Sequence, residues 1–393
     1  MKHTRIHAPS RSLALAQTRG DRTALAPSPT RSRGPAFSSL RIAGCAIAAA
    51  ALLAACGGGG GSSGSGGSSS GTSSSGSPAT SANAQVALVA APGAAAASFT
   101  PTGDVINDSL GFINYQRAQV GLSALAFQSG VAQAATNHSV WEQDNNLIGH
   151  IEASNQQGYT AASPLDRVNL YYKTTSVGEV TAGMSGPFTS STEAIQELFD
   201  APFHRAIILF DAVYAGVGDA LATSPSQLST LTVDFADYKQ VVQDNQLIAW
   251  PYNGQTNVNT SWLANESPNP MAAAPQYEGQ VVGYPVTLSG SDNAAFSNVT
   301  FTITNPAGVQ VPCQEVDSSN NADATREAMC VPFQPLDTST TYTVKATGTL
   351  TNTSLPATPF TLSWQFTTLA TANEAKAARQ LQQQTPARTV ILN

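Results

Sequence analysis

Charge is the first thing this 393-residue chain is short of. Asp, Glu, Lys and Arg make up 11% of it, against roughly 25% in an ordinary soluble domain. Positive charge is scarcer still beyond the first segment. Eight of the 18 basic residues and one of the 25 acidic residues fall within residues 1–56, leaving ten basic against 24 acidic residues, a net of −14. That balance excludes a nucleic-acid partner, because phosphate recognition draws on a Lys/Arg surface. No basic amphipathic helix is present to bind anionic lipid. Local catalytic signatures are missing too. There is no HExxH chelate, no phosphate-binding glycine loop after a strand, and no GxSxG elbow, since Gly183-Met184-Ser185-Gly186 runs straight into Pro187. The four cysteines fall into two groups. Cys45 and Cys56 sit in or at the end of an apolar run, and Cys313 and Cys330 lie in a region rich in β-formers. So few thiols, placed this way, suit an oxidising compartment.

What is present begins with an export signal. Basic, Pro/Ser-rich residues lead to Arg41, followed by Ile42 to Cys56, an apolar run of small residues. A positive flank and a short apolar stretch form a secretion signal, and the run is shorter than the ~20 residues of a membrane span. Leu53-Ala54-Ala55-Cys56 is similar to a bacterial lipobox, which would make Cys56 the lipidated residue. The alternative is an ordinary signal peptide ending in Cys; the Gly/Ser tract directly after it favours the lipobox. That tract opens a tether over 57–101 that is Gly-, Ser- and Ala-rich and has no side chains for a core. Its r.m.s. span as a free coil is about 35 Å. Lipidated at Cys56, the protein would be held in the cell envelope. With Gly57 rather than Asp after the cysteine, the expected destination in a diderm cell is the outer membrane.

Two folded regions follow, and the expected fold class is α+β. In residues 102–240, Ile106, Leu110, Ile113 and Val120 recur at helical spacing, and a second helix is expected over about 130–144 with His138 on its apolar face. Ser163-Pro164 starts a capped turn, Glu179 opens an extended segment, and residues 193–200 form a helix that Pro202 ends. Strands are expected over 214–223 and 228–235. Residues 241–275 are rich in Asn, Pro, Ser and Gly and are expected as a linker. Residues 276–369 carry short alternating runs such as NVTFTIT, TYTVKATGTL and FTLSWQFTT, the pattern of an all-β, immunoglobulin-like sandwich. A Cys313–Cys330 disulfide there would close a short loop and add about 3 kcal/mol. The Gln- and Ala-rich residues 370–393 are expected as a flexible tail.

Six strings occur in order in the first region: FINYQRAQVGLSAL, VAQAATNHSVWEQDNNLIGH, SPLDR, VGEV, FHRAIIL and YAGVGDA. Together they resemble the CAP superfamily, the SCP domain of cysteine-rich secretory proteins, antigen 5 and plant pathogenesis-related proteins, in its bacterial branch. The resemblance implies an α-β-α sandwich with an open cleft. By position, His150 matches the family's first cleft histidine, Glu179 the acid of its Gly-Glu pair, and His204 the histidine of its His-Arg pair. The family's second acid falls at Ala201, and the glycine before the second histidine is Phe203. The resemblance does not reach the β-rich region.

The chemistry of the three residues leaves two readings open. Two neutral imidazoles and a carboxylate suit Zn²⁺ or a similar divalent cation; equally, they could hydrogen-bond one another and hold loops in place. At the level of function, one reading is a binding module whose cleft at His150, Glu179 and His204 takes a small molecule, a lipid or a cell-wall component. The other is a metal-assisted, protease-like hydrolase built on the same three residues. The missing nucleophile and incomplete acid set favour binding over catalysis. His138 is expected to be a buried structural residue.

Overall fold

The structure is a computed structural model that describes residues 85–91, 98–373 and 389–393, all within one folded unit spanning 76–393. The segment read as an export signal, Cys56 and most of the stretches read as tether and tail lie outside the described residues. Among the described residues no helix is long and apolar enough to cross a membrane.

The chain runs from a short strand β1 (Ala87–Leu88) to α1 (Val105–Gln119), β2 (Ala126–Phe127), α2 (Ser129–Asn145) and α3 (Pro164–Tyr171). Then come β3 (Val177–Ser185), α4 (Glu193–Asp200), α5 (Pro202–Ile208), β4 (Ala212–Ala220) and β5 (Leu228–Tyr238). The helix starts are chemically marked. Asp104 caps α1 by accepting from the Asn107 N–H at 2.8 Å, and Ser163 caps α3, with Pro164 in its first turn. Helix α4 ends before Pro202 as expected, and Pro202 then serves as the first residue of α5, where a missing N–H does no harm.

These elements build a sheet of order β16-β3-β5-β4-β2, in which β16 is Val390–Leu392. Alternation along each strand gives the sheet two faces. Val180, Ala182, Met184, Leu231 and Val233 join one apolar core with Phe112 of α1 and Ile195 and Leu198 of α4. Ile207 of α5 reaches the same face at Gly178. The opposite face carries Glu179, Thr181, Thr232 and Asp234, all buried, and is covered by α2 and α3. Helix α2 sits so close that a Cβ on Gly218 would lie 2.1 Å from the Thr136 nitrogen, and one on Gly216 2.1 Å from the Ala132 nitrogen. Only glycine admits that approach.

The second region contains β6 (Gln246–Trp250), β7 (Gln255–Val258), β8 (Ser261–Leu263), β9 (Val281–Gly283), β10 (Val286–Ser289), β11 (Ala295–Thr304), β12 (Cys313–Val316), β13 (Glu327–Pro332), β14 (Thr341–Asn352) and β15 (Leu355–Thr368). They form sheets of order β1-β6-β10-β13-β12 and β11-β14-β15-β7 with a separate β8-β9 pair. The whole is α+β. Cys313 and Cys330 are joined in a disulfide across β12 and β13. Three segments depart from expectation. Strands β6, β7 and β8 occupy the stretch read as linker, β1 lies in the stretch read as tether, and β16 lies in the stretch read as tail. The apolar run Leu247-Ile248-Ala249-Trp250 is fully buried, which is why that part of the presumed linker pairs as a strand.

Candidate functional site

Residues 146–162 form a loop after α2, entered through Asn146 in the left-handed conformation (φ 52°). Three residues on, Gly149-His150 brings an imidazole over the polar face of the sheet. His150 Nδ1 lies 2.8 Å from Glu179 Oε1. The imidazole side chain is 39% exposed, whereas that of Glu179 is 1% exposed. Arg167, fully buried on α3, donates to Glu179 Oε2 at 2.6 Å and to the His150 carbonyl at 2.9 Å. One guanidinium therefore fixes both the carboxylate and the backbone of the histidine it orients. Burial alone would raise the Glu179 pKa; the bond from His150 and the charges of His138 and Arg167 outweigh it and hold the carboxyl near about 2. With Nδ1–H given to Glu179, a neutral His150 presents Nε2 outward as an acceptor.

Behind this pair lies a buried polar network. His138 is fully buried, stacked on Trp141 with ring centroids 5.4 Å apart. Its Nδ1 meets Glu152 Oε1 at 3.0 Å and its Nε2 meets the Gly149 carbonyl at 2.8 Å. A carbonyl only accepts, so the proton on Nε2 is set by the loop that carries His150. Glu142 accepts from the Thr181 hydroxyl at 2.8 Å and from the Gly149 N–H at 3.1 Å. Asp234 stands directly opposite Glu179 across β3 and β5. Burial pushes the carboxyls of Glu142 and Asp234 well above the usual range, and the Glu179 charge pushes the same way. Glu152 is shifted down: bonds from His138 and the Thr160 N–H and the Arg167 charge outweigh its burial. The face thus lowers the carboxyls of Glu179 and Glu152 around Arg167 and raises those of Glu142 and Asp234.

His204 is placed differently. It lies on α5, which packs against the other face of the sheet, and its Nδ1 meets Glu266 Oε2 at 2.8 Å. Glu266 also accepts from the Phe203 N–H at 3.2 Å. The structure brings His150 and Glu179 together and gives His204 a separate carboxylate. Nor do the three offer a cation a shared set of lone pairs, since both Glu179 oxygens are engaged, one of them by a guanidinium, and His204 Nδ1 is engaged by Glu266. Among the described residues no group of three or more His, Cys, Asp or Glu is disposed to hold a metal ion. Arg205, beside His204 on α5, donates to the Tyr284 hydroxyl and the Pro285 carbonyl.

No family model matches the sequence, and no curated protein matches it either. Among solved structures, an extracellular protein containing a SCP domain from Bacillus anthracis str. Ames is 20% identical, with 34% of this chain and 40% of that one covered and a TM-score of 0.28. The chain thus spans less than half of that protein's length. An outer surface protein from Borrelia burgdorferi is 16% identical over 33% of this chain and 90% of that one, with a TM-score of 0.27. CopC from Methylosinus trichosporium OB3b is 15% identical over 31% of this chain and 88% of that one, with a TM-score of 0.20.

Proposed function

We propose that this is an exported envelope protein, lipid-anchored at Cys56, whose first folded region is a CAP-type domain that binds a small ligand at the His150–Glu179 pair. The second region, in this reading, is an immunoglobulin-like sandwich that adds a contact surface. One observation carries the binding reading: a half-exposed imidazole held by a buried carboxylate, itself held by a buried arginine. That arrangement keeps one ring nitrogen aimed at solvent in a defined tautomer. A hydroxyl- or amide-bearing ligand is what such an acceptor selects. Leu147 and Ile151, 43% and 65% exposed on either side of His150, offer apolar contact to the rest of such a molecule, which favours a lipid or another amphipathic envelope component.

The same pair favours a second reading, hydrolysis with His150 as general base, because a carboxylate-oriented imidazole is what activates a hydroxyl or water. Among the described residues no hydroxyl or thiol is hydrogen-bonded to His150, so binding is preferred. The metal-assisted form would require His150, Glu179 and His204 to rearrange around the cation. NMR titration of the His150 ring protons against solubilised envelope lipids, with calorimetry against Zn²⁺ at pH 7.5, separates the readings. The binding reading expects ring shifts with lipid that vanish in His150→Ala, and no heat with Zn²⁺. Zn²⁺ heat that is lost in a His150→Ala, His204→Ala double variant would replace it with the metal site.

A further inference from the structure

Asp234 is the one carboxyl of the polar face without a donor. It is fully buried on β5, and neither of its oxygens accepts a hydrogen bond from any N–H or hydroxyl among the described residues. Its place in the sheet accounts for half of this. Glu179 stands opposite it on β3, and Gly216, which has no side chain to offer, stands opposite it on β4. Two residues away along β5, Ala236 has no polar group, and the Thr232 hydroxyl turns to Glu142 at 3.4 Å.

The layer above the sheet accounts for the rest. From α2 come Glu142, itself an acid, and His138, whose two ring nitrogens are taken by Glu152 and the Gly149 carbonyl. From α3 comes Arg167, which gives one terminal nitrogen to Glu179 and the other to the His150 and Ala162 carbonyls. Its Nε faces Glu152 at 3.7 Å. From the loop after α2, His150 gives Nδ1 to Glu179. Every titratable group around Asp234 is thus another acid or a donor engaged elsewhere.

An ionised Asp234 would be a second buried anion beside Glu179, with no donor to offset the loss of solvent, and that is a costly state for a carboxyl. When two carboxyls share one site, one of them keeps a proton. Glu179 already has a guanidinium and an imidazole as donors, so the proton belongs on Asp234. A protonated carboxyl is itself a donor. The acceptor within reach is Glu179, because residues directly opposite on antiparallel strands have Cβ atoms about 5 Å apart. A hydrogen bond between the two side chains is among the causes that push the Asp234 carboxyl up. Each carboxylate oxygen can accept twice, so Glu179 takes this third donor without releasing His150 or Arg167.

We propose that Asp234 is a positioning residue for His150: its O–H donates to Glu179, takes up part of the carboxylate's charge, and so keeps the imidazole a neutral acceptor over a wider pH range. The functional side of this rests on the reading of His150 as the ligand-contacting group. The test follows the His150 ring protons by NMR through a pH titration of the purified chain without ligand, so failure of the lipid titration changes none of its readouts. Asp234→Asn keeps a neutral donor opposite Glu179 and should leave the titration midpoint within about 0.2 pH unit of the parent, whereas Asp234→Val removes the donor and should raise it by about 0.5 unit or more. An ionised Asp234 predicts the opposite sign, a lower midpoint in both variants. That result overturns the proposal, as does a midpoint that moves in neither. Infrared spectroscopy keeps the proposal falsifiable if Asp234→Val does not fold. The parent at pH 7 should show protonated-carboxyl absorption that weakens in Asp234→Asn, and identical absorption in the two would overturn the assignment.

Discussion

Strand β3 sends Val180, Ala182 and Met184 into one layer and Glu179, Thr181 and Gly183 into the other, so the two faces of a single sheet can be set side by side. The first layer is filled with apolar side chains whose contribution scales with the area removed from water. The second buries carboxyls, hydroxyls and a guanidinium, whose contribution depends on every group finding its partner. An apolar layer is sensitive to volume but indifferent to pH. A polar layer is sensitive to both, but it fixes positions and protonation states, and His150 stands on that layer. The sheet is stabilised from one side and given its chemistry from the other.

The sharpest way to break the comparison is at the closest approach of α2. Gly218→Val would drive a side chain into the backbone of Thr136 and Ala135, where nothing flexible can yield, so loss of the folded state by circular dichroism is expected, a penalty above about 4 kcal/mol. Val217→Ala, one residue along and facing the apolar layer, should leave a folded protein.

Next in size is Arg167→Ala, expected to cost about 3–5 kcal/mol because it strands a buried carboxylate. Met184→Ala on the apolar face should cost about 2–5 kcal/mol, so the total does not separate them; their pH dependence does. Glu179 has a folded pKa near about 2, below its ordinary 4.5. Its stabilising contribution is therefore complete above 4.5 and lost as pH falls towards 2. The Arg167→Ala penalty should shrink in urea melts as pH is lowered through that window, and the Met184→Ala penalty should stay constant.

The smallest effect expected is a gain. Glu142 is a buried acid with its pKa raised by desolvation, so unfolding releases its proton once pH exceeds the ordinary carboxyl value, and stability falls as pH rises from there towards its folded pKa. Glu142→Gln keeps the shape and removes that loss. Its melting temperature should exceed the parent's at pH 8 and match it at pH 4; equality at both would mean Glu142 is ionised in the fold.

Much of the local structure was legible in the chain. The spacing of Ile106, Leu110 and Ile113, the turn before Asp166, and the alternation through residues 228–235 each carry a local period or cap that survives into α1, α3 and β5. The polar face was not. Glu142, Glu152 and Asp234 look like ordinary surface acids in one dimension, because their burial follows from strand register and the closeness of α2, which no local pattern encodes. His150 with Glu179 could be paired only through the resemblance of the surrounding strings. The partner of His204 was hidden for a different reason. Glu266 lies 62 residues further along, in a stretch whose Pro, Asn and Ser content masks its strands.

The two short strands at the margins of the described chain have a consequence for how the molecule comes together in time. Strand β1 pairs with β6, and β16 closes the edge of β3, where Thr389 bonds Ser185 across 204 residues. On a ribosome, β3 would therefore emerge long before the strand that covers it. Pairings this distant in sequence form late, because a long loop must be closed before they yield any stabilisation. Until then the backbone of β3 offers an open edge to any other unpaired strand. Residues 390–392 are thus the piece that closes this edge of the sheet.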